Sequence, residues 1–372
     1  IFSTGTTALS GDLIVSTSGA VSAGTGIITM NGAANLGIST GTIGPLTIAA
    51  AVTVSAGGAG RDVGALVVSS GSLAVGTFDF QATSAIVAAP VTVGAGGLFS
   101  TTGVMTVNAG GSVAAAGSGA ITAGSGLVAN GTGAVSVVDG NLTVSAGGIT
   151  LNGSGTVGSS GTGSIIVNAG GVSWAGTATS AINASGSGSL SISGDLTQTA
   201  TASGPISLGS GIFSVTGISS IFYASAPQIL SVSGTLLFGD TTTLHVDTTL
   251  IGTTVEFNGA VVGGSNSLGI SGDAVFGDDP TDTITGLDTL SVSGLCDIFT
   301  NTVTTSGNQV YNGAATIGTD VAMTTIGNSN IVFASTLNLA SHYITFNTGT
   351  GTIEFDGSVS GVIGSAHIRV LA

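Results

Sequence analysis

The sequence has 372 residues, of which 65 are glycine, 17 are Asp or Glu, and only Arg61 and Arg369 are cationic at every pH. Two cations exclude a nucleic-acid groove and attraction to an anionic membrane surface, because both need many Lys or Arg. At 42% hydrophobic residues and a mean hydropathy of +0.65, the chain also lacks the low-hydrophobicity, high-charge composition of disorder.

The opening residues, Ile1-Phe-Ser-Thr, carry no basic and apolar leader, which predicts a processed chain or a piece of a longer one. The most apolar stretch, 44–54, is too short to span a bilayer and contains Thr47 and Thr53. From residue 52 a phrase recurs: an apolar residue, any residue, Val, a small residue, then Ala-Gly-Gly. It fills 52–58, 91–97, 105–111, 142–148 and 165–171. A second phrase, apolar-x-(Val/Ile)-(Ser/Thr)-Gly, fills 190–194, 213–217, 230–234, 268–272 and 290–294. In each, apolar residues alternate with Ser, Thr or Gly, which is the period of a strand. Val and Ile add strand preference, and Gly-Gly, Asn-Gly and Ser-Gly pairs supply positive φ at turns.

Longer echoes fix a unit. Ser233-Gly-Thr-Leu-Leu-Phe-Gly-Asp240 returns 38 residues later as Ser271-Gly-Asp-Ala-Val-Phe-Gly-Asp278, two units of 19. Strand repeats of this size predict an all-β fold, a parallel β-solenoid of about 19–20 residues per coil. Phe238 and Phe276 should then stack inward two coils apart, with Phe257 between them. Composition divides the chain into a Gly/Ala-rich thin section, 1–204, and a Phe- and Asp-richer wider section, 205–372, continuous with the first.

Candidate chemistry is sparse. Asp278, Asp279 and Asp282 form the densest acidic patch, and hard oxygen ligands in a turn suit Ca²⁺, the one cofactor the sequence offers. The Gly-Gly-x-Gly-x-Asp repeat of calcium solenoids is absent, which favours a solvated acidic turn. His245-Val-Asp247 places two side chains on one face of a strand; it reads as an exposed polar pair, since no Gly-x-Ser-x-Gly elbow followed by a helix accompanies it. Arg61 and Arg369 lie too far apart in sequence to serve a polysaccharide lyase site. Cys296, the only cysteine, reads as a small buried strand residue.

Residues 307–318, 330–338 and 351–361 resemble the β-strand repeats of large secreted bacterial surface proteins, such as filamentous-haemagglutinin-like adhesins and autotransporter passengers. That resemblance implies cell-surface display, adhesion or fibre formation, and transfers no site residue. The expectation is a non-enzymatic extracellular structural protein, a self-assembling subunit of a surface fibre, sheath or layer. Its partner is itself, head to tail, with a surface glycan as a further partner class, no nucleic acid and no membrane insertion. An adhesin stalk and a polysaccharide-binding or cleaving solenoid are the alternatives.

Overall fold

Alternation of Val, Ile and Leu with Ser and Thr gives each strand one apolar face, which a single coil cannot bury by itself. The computed structural model shows how the chain solves this. It describes residues 7–15, 27–38, 42–57, 62–176, 181–198, 206–221, 228–361 and 368–371, and divides into two units, Ile1–Ser193 and Gly194–Ala372. Among the described residues there is no helix, and every resolved strand pair is parallel. The chain is a β-solenoid, as expected.

A coil carries three short strands, here called faces A, B and C in chain order. In the first unit, Val104–Val107 lies on face A, Ser112–Ala115 on face B and Ala120–Ala123 on face C. Face A of this unit is a ladder of nine strands: Thr7–Leu9, Ile28–Met30, Leu46–Ile48, Asp62–Val68, Asp79–Val87, Val104–Val107, Gly126–Ala129, Ile149–Gly153 and Val172–Gly176. Face A of the second unit also has nine, from Leu196–Gln198 through Thr242–Leu244 and Val321–Thr325 to Ile368–Leu371.

Register stacks like on like. Met105, Leu127, Ile149 and Val172 form one buried column in the first unit. In the second, Phe238, Phe257 and Phe276 are register partners. Their rings stack with centroids 5.0 and 5.7 Å apart and planes within 13°. The expected Phe stack is therefore present.

Coil length is uneven. The 19-residue step holds from Thr235 to Thr254 and from Thr254 to Asp273. It falls to 18 between Ile28 and Leu46 and reaches 25 between Ile165 and Leu190. Corners absorb the difference, because the strands must stay in register while the turns need not.

The glycines have two causes. Some hold positive φ, such as Gly147 at 69° and Gly170 at 85°. Others, at the corner between faces B and C, are needed for close approach. A Cβ on Gly140 would fall on the carbonyl of Gly119, one on Gly163 on that of Gly140, and one on Gly188 on that of Gly163. Gly252, Gly272, Gly294 and Gly313 repeat this column in the second unit. Stacking at about 4.8 Å leaves no room for a side chain pointing along the stack.

Candidate functional site

The acidic patch lies in a corner insertion. The step from Thr242 to Val261 is 19 residues and that from Val261 to Ile284 is 23, the extra length forming the turn at 277–282. Asp278 and Asp279 are exposed and Asp282 is half-buried. Asp282 Oδ2 accepts the backbone N–H groups of Asp278 and Asp279, at 3.3 and 3.2 Å. Asp279 Oδ1 accepts the N–H and hydroxyl of Thr281, at 2.8 and 2.7 Å. These bonds favour the charged form and lower the Asp279 pKa, the backbone bond most. The carboxylates thus close their own turn. Among the described residues no group of three His, Cys, Asp or Glu gathers around one point.

His245 and Asp247 do not share a strand face. Residues 245–247 form the bend between Thr242–Leu244 and Thr248–Phe257, with both side chains exposed. Asp247 Oδ1 accepts the N–H of Ser267 in the next coil at 2.8 Å. The alternating pattern ran through this corner without a break in sequence, which is why it read as strand. Cys296 is fully buried, as expected, and burial raises its thiol pKa far above the ordinary value, with the Asp297 charge adding to the shift. Arg61 lies outside the described residues, and Arg369 stands on the exposed strand Ile368–Leu371.

What sequence reading missed is where the other carboxylates go. Asp12 accepts the backbone N–H of Asn35, Asp139 that of Thr162, Asp195 that of Ile218, Asp273 that of Leu295 and Asp320 that of Tyr343. Each bond is 2.7–3.1 Å and joins a corner to the coil 22–23 residues on. Asn141 and Asn308 do the same for Ser164 and Asn330. Asn130 and Asn152 add an amide ladder, each donating to the Asn one coil earlier. A corner N–H that no strand pairs would otherwise be left to water, so these acids act as coil-to-coil caps. The signal, an Asp or Asn just past an apolar phrase, was present, but its partner sits at a variable offset.

Two surfaces remain. A shallow depression on face B of the first unit is lined by Ser136, Gly158, Ser159, Asn183 and Ser185, with hydroxyls and amides but no carboxylate. The second is a strand edge. Ile368–Leu371 pairs with Ile344–Asn347 on one side and with no other strand among the described residues. Ile368, Val370 and Leu371 are 43, 60 and 36% exposed, and nearby Val359 is 41% exposed. Phe355 stacks on Phe333 at 5.6 Å and its outer face is only half-buried. An unpaired parallel strand presents backbone donors and acceptors to another strand.

No protein-family model matches the chain, and neither a curated protein nor a solved structure matches it. No helix of the described residues is long and apolar enough to cross a membrane.

Proposed function

We propose that the chain is a non-enzymatic extracellular structural protein that assembles with copies of itself, end to end, into a surface fibre, sheath or layer. The observation that carries this reading is the parallel ladder held in register through each unit, where like stacks on like, as at Phe238, Phe257 and Phe276. A coil of a second copy can extend such a ladder by the same backbone pairing and apolar stacking, for instance against the exposed Ile368 and Val370. Because the two ends of a parallel stack are unlike, such contacts propagate head to tail. Asp12, Asp139, Asp195, Asp247, Asp273 and Asp320 support a structural role, since each joins one coil to the next. The likeness to secreted bacterial surface repeats points to the same class and to display outside the cell.

The test is sedimentation with electron microscopy on the full chain and on Ile368→Lys/Val370→Lys. Growth in length is expected for the wild type and lost in the variant. With so few cations the contact is apolar and backbone-bonded, so growth should persist at 1 M salt, where screening acts within about 3 Å. A wild type that stays monomeric at high concentration sinks the reading and favours the adhesin stalk. Polymers that dissolve in salt sink the apolar contact.

A further inference from the structure

Face A of the first unit sets large apolar side chains among threonines on its outside. Its outward column runs in unbroken register from Ala8 to Ser173, with Val67, Ile86 and Val128 among Thr29, Thr47, Thr106 and Thr150. Among the described residues of this unit, three large apolar side chains are more than a third exposed: Ile27 at 42%, Ile86 at 47% and Val104 at 40%. All three stand on this face or its rim, Val104 opening the strand whose Thr106 pairs with Ile86. Among the described residues no charged side chain stands in this column. Asp62 and Asp79 begin two of its long strands, but they pair with Thr42 and Leu98 on face C. Face B differs in kind, since its outward column carries small groups: Thr53, Ala74, Thr92, Ala114, Ser136 and Gly158.

We infer that face A of the first unit is a lateral self-association surface that takes the same face of a second copy. Nine strands about 4.8 Å apart and about four residues of about 3.3 Å across give a flat area of about 600 Å². Two such faces bury about 1,200 Å² together, the lower end of stable specific interfaces. Being uncharged, the face has nothing to repel its own copy and nothing to attract a charged partner. Val, Ile and Thr are stiff at χ1, so ordering them on contact costs little side-chain entropy. A two-fold axis lying in the plane of the contact would bring the same patch of two copies face to face. This side contact involves none of the edge residues 353–371 and does not depend on the end-to-end contact.

The experiment is sedimentation equilibrium with image-based width measurement on wild type, Ile86→Lys/Thr106→Lys and Ile86→Thr. The wild type is expected to pair side by side. The double variant places like charges opposite each other and should weaken pairing by at least about tenfold. Ile86→Thr, a β-branched swap at an outward position, keeps the strand and should weaken pairing severalfold even if the double variant folds poorly. Thr92→Lys, on face B, should leave pairing unchanged. Equal pairing in wild type and Ile86→Thr overturns the inference, as does a wild type with no lateral pairs. Ile368→Lys/Val370→Lys separates the two contacts: it should stop growth in length and leave lateral pairs intact.

Discussion

The two units share one backbone plan and fill it differently. Columns in the first are mostly aliphatic, such as Val113, Val135 and Val157, with Trp174 and the Phe80–Phe99 pair as its bulky members. Those in the second hold aromatic stacks: Phe238–Phe257–Phe276, and Tyr311–Phe333–Phe355 with centroids 4.9 and 5.6 Å apart. Strand spacing of about 4.8 Å is close to the stacking distance of aromatic rings. A ladder in register therefore hands each ring a partner at near-optimal separation, whatever the corners do. The second unit also buries more polar side chains. Among the described residues the first buries Ser100, Thr101 and Ser159, and the second buries nine, including Ser219, Thr242, Thr305 and Gln309.

The sharpest way to break this comparison is to remove a ring. Phe257→Asp puts an unpaired charge between Phe238 and Phe276 and should cost more than about 4 kcal/mol, enough to unfold the surrounding coils. Phe257→Leu keeps most of the apolar burial but loses two stacks, each about 0.5–1.5 kcal/mol. In the aliphatic column, Leu127→Ala tests filling without rings and should cost about 2–5 kcal/mol. Denaturant midpoints check all three. An unchanged midpoint for Phe257→Leu would show that the rings contribute area alone.

The glycine columns are common to both units, so they should respond alike. Gly163→Ala and Gly294→Ala each drive a methyl onto the carbonyl of the previous coil and should destabilise by about 1–3 kcal/mol. Gly11 has nothing within 4 Å of an added Cβ, and Gly11→Ala should be near neutral. A thermal scan in which Gly163→Ala matches Gly11→Ala would mean that the corners relax freely.

How much of this was legible in the sequence follows from what a one-dimensional repeat can record. The solenoid and the Phe238–Phe257–Phe276 stack were readable because that stretch keeps an even 19-residue step. The step from Ile165 to Leu190 was not, since its extra residues fall in a corner that leaves no periodic trace. Glycines were read as turn formers, which fits Gly147 and misses Gly163, where crowding by Gly140 and not φ is the cause. The partners of Asp273 and Asp320, Leu295 and Tyr343, leave no signal in the sequence because they are set by coil stacking. His245 and Asp247 looked like strand residues because the corner there continues the alternation.

The smallest expected effect separates two buried threonines of the second unit. Thr305 donates its hydroxyl to the Gly307 carbonyl at 2.6 Å and receives Gln309 Nε2 at 3.3 Å. Gln309 also donates to the Thr324 carbonyl and accepts the Tyr311 hydroxyl. Burial raises the Tyr311 pKa well above its ordinary value, with Cys296 adding to the shift, so this network keeps its proton through alkaline pH. Thr305→Val leaves part of that network unpaired and should cost about 1–3 kcal/mol. Thr242 is as deeply buried, yet its hydroxyl has no partner, and neither has that of Ser219, its register neighbour. Thr242→Val replaces an unpaired hydroxyl by a methyl of the same shape, so it should be neutral or stabilising by up to about 1 kcal/mol. Opposite signs in urea unfolding would show that polar groups in this core matter through their partners. A loss at Thr242 as large as that at Thr305 would mean that the Thr242 hydroxyl is bonded in solution, for instance through an ordered water.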